Sequence, residues 1–260
     1  MINWDVSPLI FEIGFLKLRW YGLFFALSFV IGYQIVEKVF KREGKPLKDL
    51  ESLTMTMVLS TIIGARLGHC LFYSPEYYLA NPLKILMVWE GGLASHGGTI
   101  GILIGLWLFT RKRKNFDYMW LLDRIAWPTA LSAALIRMGN LFNSEILGRA
   151  TDVSWAFVFQ RIDQIPRHPA QLYESISYFV IFIIMTLMYL KKGGEIKPGR
   201  LLGVFLTLIF SARFFIEFIK ENQVGFEQSM TLNMGQLLSI PFVLAGLYLL
   251  FFFERNKIKS

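Results

Sequence analysis

Seven apolar stretches constrain this chain more than any other feature of it, at roughly 18–39, 52–73, 95–112, 118–142, 171–190, 200–219 and 233–253. Each approaches the roughly 20 residues a helix needs to cross a bilayer, and a lipid-facing backbone must satisfy its polar groups internally. The array therefore predicts an all-α integral membrane protein with seven transmembrane helices. The third stretch is rich in glycine (Gly97, Gly98, Gly101, Gly105), which suits close helix packing in lipid. The fourth carries Pro128 in its middle, which a membrane helix accommodates. Composition excludes the alternatives: 54% of residues are hydrophobic and 18% charged, against about 25% charged in soluble domains, so neither a soluble enzyme nor a disordered chain is expected. No linker, low-complexity tract or internal repeat interrupts the sequence, and residues 1–260 read as a single polytopic domain. The lone Cys70 excludes an internal disulfide and any CxxC site; inside an apolar run, it reads as packing. Asp5 and Glu12 precede the first basic residue, so no secretory signal is expected.

The net charge of +8 would suggest a nucleic-acid partner in a soluble protein; here its distribution says otherwise. Sixteen of the 27 Lys and Arg residues lie in four segments: 38–51, Arg111 to Lys114, 191–200 and the tail after 253. The segments between them hold seven, and four arginines lie inside spans. Rich and poor segments alternate without exception. By the positive-inside rule, the amino terminus is outside and the carboxyl terminus cytoplasmic. The basic excess is topology, and no nucleic acid is expected as a partner.

Ionisable groups inside spans are costly and point to function. In the orientation above, Arg66, Arg137 and Arg213 sit in the outer portions of outward-running spans. Tyr21, His96 and His168 sit at the outer ends of inward-running ones. Asn140, Asn143 and Glu145 follow Arg137, and Glu217 lies one turn beyond Arg213. Independent segments thus send polar residues to one level, the outer leaflet, and a shared site is expected there. Plainer roles are open to several of them. Arg213 and Glu217 are spaced as an i, i+4 ion pair that sets helix packing. Arg66 pairs with Glu90 or Glu145 on a structural reading. Asp123 and Arg124 read as a snorkelling pair near the cytoplasmic end, and His69 as a satisfied interfacial residue. The run R-M-G-N-L-F-N-S-E-I-L-G at 137–148 resists such a reading, because a lipid-facing helix has no need of an arginine, two asparagines and a glutamate within nine positions. Arginines in low dielectric suit a compact anion, and guanidinium forks match phosphate. At the outer leaflet the simplest such anion is a phospholipid headgroup. In E-G-G-L-A-S-H-G-G-T at 90–99, Ser95 or His96 starts a helix whose Gly97 and Gly98 amides face outward at its positive end. The three histidines are far apart and form no HxxxH, so neither metal nor cofactor is expected.

At these residues the chain resembles the prolipoprotein diacylglyceryl transferase family, bacterial membrane enzymes that lipidate the lipobox cysteine of preprolipoproteins. The matching pieces are R-W-Y-G at 19–22, V-W-E-G-G-L-A-S-H-G-G at 88–98, the run at 137–148, R-H-P-A-Q-L-Y-E at 167–174, A-R-F-F-I-E-F at 212–218 and M-G-Q-L-L-S-I-P at 234–241. The topology inferred above agrees with that family's. The resemblance implies transfer of a diacylglyceryl group from phosphatidylglycerol to a cysteine thiol, forming a thioether and releasing glycerol phosphate. It implies residence in the bacterial cytoplasmic (inner) membrane, with phosphatidylglycerol as donor, the preprolipoprotein signal peptide as acceptor, and membrane lipids as surroundings. It implies catalytic roles for His96, Arg137 and Arg213, and phospholipid binding by Arg137, Arg213, Asn140, Gly97 and Gly98. Tyr21, Arg66, Asn143, Glu145, Gly148, His168 and Glu217 fall in supporting positions. Ile209 stands where many members carry tyrosine, and N-S-E at 143–145 where the usual signature reads N-G-E. The outer segment 143–170 is too short for a full-sized periplasmic head. A transporter of an anionic substrate is the alternative. An intramembrane protease is not expected, for lack of a GxSxG, paired-Asp or HExxH site.

Overall fold

The computed structural model describes residues 1–14, 16–88, 91–192, 194–222, 227 and 230–253. In chain order its elements are β1 (Ile2–Trp4), β2 (Leu9–Ile13), β3 (Leu16–Arg19), α1 (Trp20–Arg42), α2 (Leu47–Phe72), α3 (Pro75–Ala80) with a 3-10 turn at Pro82–Leu86, α4 (Ser95–Arg111), α5 (Tyr118–Asn143), β4 (Phe157–Phe159), β5 (Pro166–Arg167), α6 (Ala170–Lys191), α7 (Arg200–Ile216) with a 3-10 turn at Glu217–Ile219, and α8 (Met234–Phe251). The seven apolar stretches are all helical. Five of these helices, α1, α2, α6, α7 with its 3-10 turn, and α8, are long and apolar enough to cross a membrane. The other two differ for legible reasons: α4 has 17 residues, and α5 carries Asp123, Arg124 and Arg137. The chain is a predominantly helical, multi-pass membrane protein.

Its residues divide into two compact units, 1–36 with 123–260, and 37–122. In the first, α5 is hydrogen-bonded along its length to α6. Ser175 Oγ donates to the Ala134 carbonyl at 2.9 Å, and Trp127 Nε1 to Thr186 Oγ1 at 2.8 Å. Helix α7 packs on α8 where Gly203 lies against Leu250; a Cβ there would approach Leu250 Cγ to 2.9 Å. The Asp123–Arg124 pair does not snorkel. Both side chains are buried: Asp123 accepts the Gly199 and Leu202 amides at 2.8 and 2.7 Å, and Arg124 donates to the Gly194 carbonyl at 3.1 Å. The first-turn amides of α7 have no intrahelical acceptor, and a carboxylate at that positive end satisfies two at once.

Two small sheets belong to this unit. β1 pairs parallel with β4, which pairs antiparallel with β5; β2 and β3 form a bulged hairpin. Leu141, Phe157 and Phe159 make a core against which Trp4 and Leu172 pack. Strands of two to five residues show too little alternation to be legible in sequence.

In the second unit α2 and α4 are packed backbone to backbone. A Cβ on Gly68 would lie 2.7 Å from Gly97 Cα, and one on Gly64 2.7 Å from Gly101 Cα. Small residues at four-residue spacing permit this approach where lipid provides no hydrophobic drive between helices. Cys70 is buried and free.

Candidate active site

The site of the first unit is built on the carboxyl-terminal end of α5. Arg137 Nη1 donates to Asn140 Oδ1 at 3.2 Å, Asn140 Nδ2 to Glu145 Oε2 at 3.1 Å, and Asn143 Nδ2 to Glu145 Oε1 at 3.1 Å. Both carboxylate oxygens of Glu145 are thereby held by the asparagines of its own motif. On the other side, Arg137 Nε lies 2.9 Å from Glu174 Oε2, an ion pair whose angles are not those of a hydrogen bond. Glu174 is wholly buried near the start of α6. Its Oε1 accepts from the Tyr178 hydroxyl at 3.3 Å and lies 3.5 Å from Lys220 Nζ, which in turn donates to Glu217 Oε2 at 3.0 Å. A single polar chain thus runs Asn143–Glu145–Asn140–Arg137–Glu174–Lys220–Glu217 across three segments. Charges at such depth persist only when paired.

Arg213 is the exception. Its Nε is buried with no hydrogen-bond partner, and no carboxylate of the described residues forms an ion pair with it. Tyr178 lies within electrostatic reach of both Arg213 and Arg137, so the two arginines share one neighbourhood. The expected Arg213–Glu217 pair is not formed. Helix α7 tightens into a 3-10 turn at Glu217, in which i and i+3 eclipse; Glu217 therefore meets Lys220. Glu217 also packs on Gly235 in the first turn of α8, where a Cβ would lie 2.6 Å from its carboxyl carbon, and the helix's positive end favours the carboxylate. Asn143 Oδ1 and Gln171 Oε1 are further buried polar atoms without partners on this cluster.

The loop after α5 is strained and tied down. Ser144 and Ile146, on either side of Glu145, have φ of 55° and 58°, a region that costs a residue with a Cβ about 1–2 kcal/mol. Glycine at this position would adopt the same φ without that cost. Arg161 donates to the Ser144 hydroxyl and the Phe142 carbonyl at 3.0 and 3.1 Å, and Gln171 donates to the Glu145 carbonyl. Beyond it, the backbone pairs on two sides: Arg149 N–H with the Ile219 carbonyl at 2.8 Å, and Gly148 N–H with the His168 carbonyl at 3.2 Å. A side chain at Gly148 would sit 2.7 Å from His168 Cβ, so glycine there lets the two segments touch. Tyr21 lies against Gly139, where a Cβ would approach its ring to 2.8 Å. The His168 ring Nδ1 is 3.3 Å from the Tyr173 hydroxyl. Outside the buried chain, the Arg167 guanidinium beside Asp163, at 2.6 Å, holds that carboxyl below its ordinary value. Arg167 also binds Glu221.

The remaining expected residues belong to the second unit. Arg66 is buried and donates to the backbone carbonyls of Lys84, Ile85, Gly91 and Gly92, that to Ile85 at 2.9 Å. It clamps the connection between α2 and α4. Glu90, one of its two expected partners, lies outside the described residues; Glu145, the other, is held by Asn140 and Asn143. His69 stacks on Tyr73 and meets Tyr78 edge-on, with ring centroids 5.6 and 5.9 Å away. Helix α4 begins at Ser95 with His96 exposed on its first turn. The Gly98 amide, expected to face a ligand, instead closes the first helical bond onto Ala94 at 3.0 Å, because the fourth residue of a helix already has an acceptor behind it. Gly97 and Gly98 are both buried against α2.

Glu174, Gln171, Tyr178 and Lys220 were not singled out from the sequence. Glu174 was findable, since it ends R-H-P-A-Q-L-Y-E and enters an apolar run. Lys220 read as one more loop lysine, and nothing in its neighbours in sequence marks it.

A family profile described as prolipoprotein diacylglyceryl transferase matches residues 8–252. Proteins named phosphatidylglycerol–prolipoprotein diacylglyceryl transferase are similar over nearly their full lengths. That of Chloroherpeton thalassium is 53% identical, covering 96% of this chain and 93% of its own. Those of Bacteroides fragilis and Tolumonas auensis are 48% and 47% identical, covering 98% and 99% of this chain and 96% and 99% of theirs. The two arginines within electrostatic reach of Tyr178, the strained loop around Glu145 and the glycine beneath Glu217 all fall on the motifs quoted above, and the chain belongs to the prolipoprotein diacylglyceryl transferase family.

Proposed function

We propose that this chain transfers the diacylglyceryl group of phosphatidylglycerol to the cysteine thiol of a prolipoprotein signal peptide. The thiol sulfur attacks the glyceryl carbon that bears the phosphate ester. A C–S bond forms, the C–O bond breaks, glycerol phosphate leaves, and the thiol proton passes to a base. The observation that carries this reading is Arg213, whose buried Nε has no partner while its neighbour Arg137 is fixed by Glu174 and Asn140. An uncompensated guanidinium in low dielectric is a standing site for phosphate. In this reading Arg137 and Arg213 hold the donor phosphate, Asn140 orients Arg137, and the asparagine-bound Glu145 keeps the strained loop in register. Tyr21, Asn143, Gly148, His168 and Glu217 position these elements, and Arg66 holds the connection between α2 and α4. Gly97 and Gly98 act by letting α4 lie against α2, with only the Gly97 amide left for an anion. No metal or cofactor takes part.

His96 takes the thiol proton. A thiol is mostly protonated at neutral pH, and a neutral imidazole at a helix amino terminus is suited to accept from it. In single-turnover assays, His96→Asn is expected to slow transfer by roughly 10²–10⁴ and to recover in part as pH approaches that of thiol ionisation. A variant equally slow at all pH would give His96 a positioning role instead.

All seven long helices cross the membrane in this reading, the amino terminus outside and the carboxyl terminus cytoplasmic, in the bacterial inner membrane. The alternation of basic segments supports that orientation. The chain acts as one functional domain, since the family match runs through both units. The deciding experiment is mass spectrometry of a lipobox peptide incubated with the purified protein and phosphatidylglycerol. A diacylglyceryl mass on cysteine is expected, and its absence in active-site-competent, folded protein overturns the reading.

A further inference from the structure

A second group of charges lies at the far end of α6 and α7. Seventeen residues separate Glu174 from Lys191, which at about 1.5 Å each is about 25 Å along α6, close to the ~30 Å of a hydrocarbon core. There the turn joining α6 to α7 borders an open cleft of about 320 Å³ lined by Met188, Ile196, Lys191, Lys192, Lys197, Arg200 and Glu195. Its composition is specific: an apolar wall from Met188 and Ile196, four cations, and a single acid. Beneath it, Asp123 accepts the Gly199 and Leu202 amides and Arg124 donates to the Gly194 carbonyl, which fixes the turn that carries the rim. Lys192 and Lys191 close a helix of 22 apolar-rich residues, and Arg200 opens the next. The cleft therefore sits at the end of two spanning helices, where hydrocarbon gives way to headgroups. A soluble anion has no use for the apolar wall; an amphiphile with an anionic head uses both.

We infer that the α6–α7 turn holds the headgroup of an anionic phospholipid in the leaflet opposite the donor site. The inference rests on the orientation proposed above, which makes this the cytoplasmic leaflet, and not on the transfer chemistry. The bound lipid ties the turn that Asp123 and Arg124 organise, so the stability of the protein follows the anionic content of its membrane.

The test uses the full chain in nanodiscs of phosphatidylcholine with increasing phosphatidylserine, an anionic lipid distinct from the proposed donor. Retained lipid is read by native mass spectrometry and Tm by scanning calorimetry. Wild type is expected to retain phosphatidylserine and to gain Tm with its fraction, and half-molar salt to weaken both. A cation near an anionic surface is worth about fivefold, so Lys191→Gln with Lys192→Gln, and separately Lys197→Gln with Arg200→Gln, should each weaken retention roughly 25-fold. Equal retention in wild type and both variants overturns the site. So does a wild-type Tm that ignores phosphatidylserine and salt, a result available even where a variant fails to fold. Glycerol phosphate reproducing the stabilisation in neutral discs would assign the cleft to a free anion and overturn the lipid. Since no arm measures transfer, a failure here and a failure of the transferase reading are told apart.

Discussion

Arg66 and Arg213 looked alike in sequence, each an arginine inside an apolar stretch, and their surroundings have made them opposites. The loop following α2 folds its carbonyls around Arg66 until the guanidinium is fully committed to backbone. Around Arg213 the nearby carboxylates have gone elsewhere: Glu217 to Lys220, Glu174 to Lys220 and Arg137. A buried charge that has been given partners supports the fold, whereas Arg213, its Nε buried without a hydrogen-bond partner, has been given none. The difference lies in which neighbours the other cations have already taken.

That comparison is open to direct attack. The largest effect is expected at Glu174→Ala, which takes from Arg137 its carboxylate and leaves Lys220 with Glu217 alone; breaking a buried pair from one side costs about 3–5 kcal/mol, read as a fall in Tm with or without substrate lipid. Arg66→Ala should come close behind. Charged hydrogen bonds contribute about 1.5–3 kcal/mol each, and partial rehydration of the freed carbonyls leaves an expected loss of about 3 kcal/mol; a variant that unfolds at the wild-type temperature would show that the clamp is incidental.

Arg213→Ala should break the symmetry. Having no partner to strand, it is expected to leave Tm within a degree or two while weakening phosphatidylglycerol binding or turnover roughly tenfold to a hundredfold, the value of one charged hydrogen bond. Arg213→Lys should recover only part, for want of the planar fork. If Arg213→Ala costs stability and spares binding, the two arginines have been assigned the wrong way round.

Smaller effects sharpen the picture of the loop that holds Glu145. Ser144→Gly relieves the positive φ but gives up the hydroxyl that accepts from Arg161, so stability should change by no more than about 1 kcal/mol in either direction. Ser144→Ala keeps the strain and loses the bond, and should be the less stable of the two. The smallest effect belongs to the Asp163–Arg167 pair, whose arginine is buried and whose carboxylate is partly exposed. Because Arg167 lowers the Asp163 pKa in the folded state, the pair's contribution is present above the unfolded-state value and is lost as pH falls through the lower folded one. Tm of wild type and Asp163→Asn should therefore differ at neutral pH and converge only below about pH 4; convergence already at pH 6 would remove Asp163 as the cause.

What the sequence determined by itself follows from properties that are local and additive. Hydrophobic runs of about 20 residues mark helices because the period and length of burial are written along the chain, and all seven stretches fold as helices. Glycine at 97, 101 and 105 told of close packing because only the absence of a Cβ permits it. The motif at 137–148 held its own hydrogen-bonding partners, so Arg137, Asn140, Asn143 and Glu145 were legible as a group. Only the tertiary structure decided which charges pair. Glu174 and Lys220 lie 46 residues apart, and nothing local says that one will take the carboxylate that spacing alone would give to Arg213. Nor does spacing show that a 3-10 turn will carry Glu217 from its i−4 neighbour to its i+3 one. Short strands escaped for a related reason: β1 and β4 are stabilised by each other across more than 150 residues, not by any pattern of their own. Pair energies between buried charges depend on distances set by the whole fold, and that dependence is what a linear reading lacks.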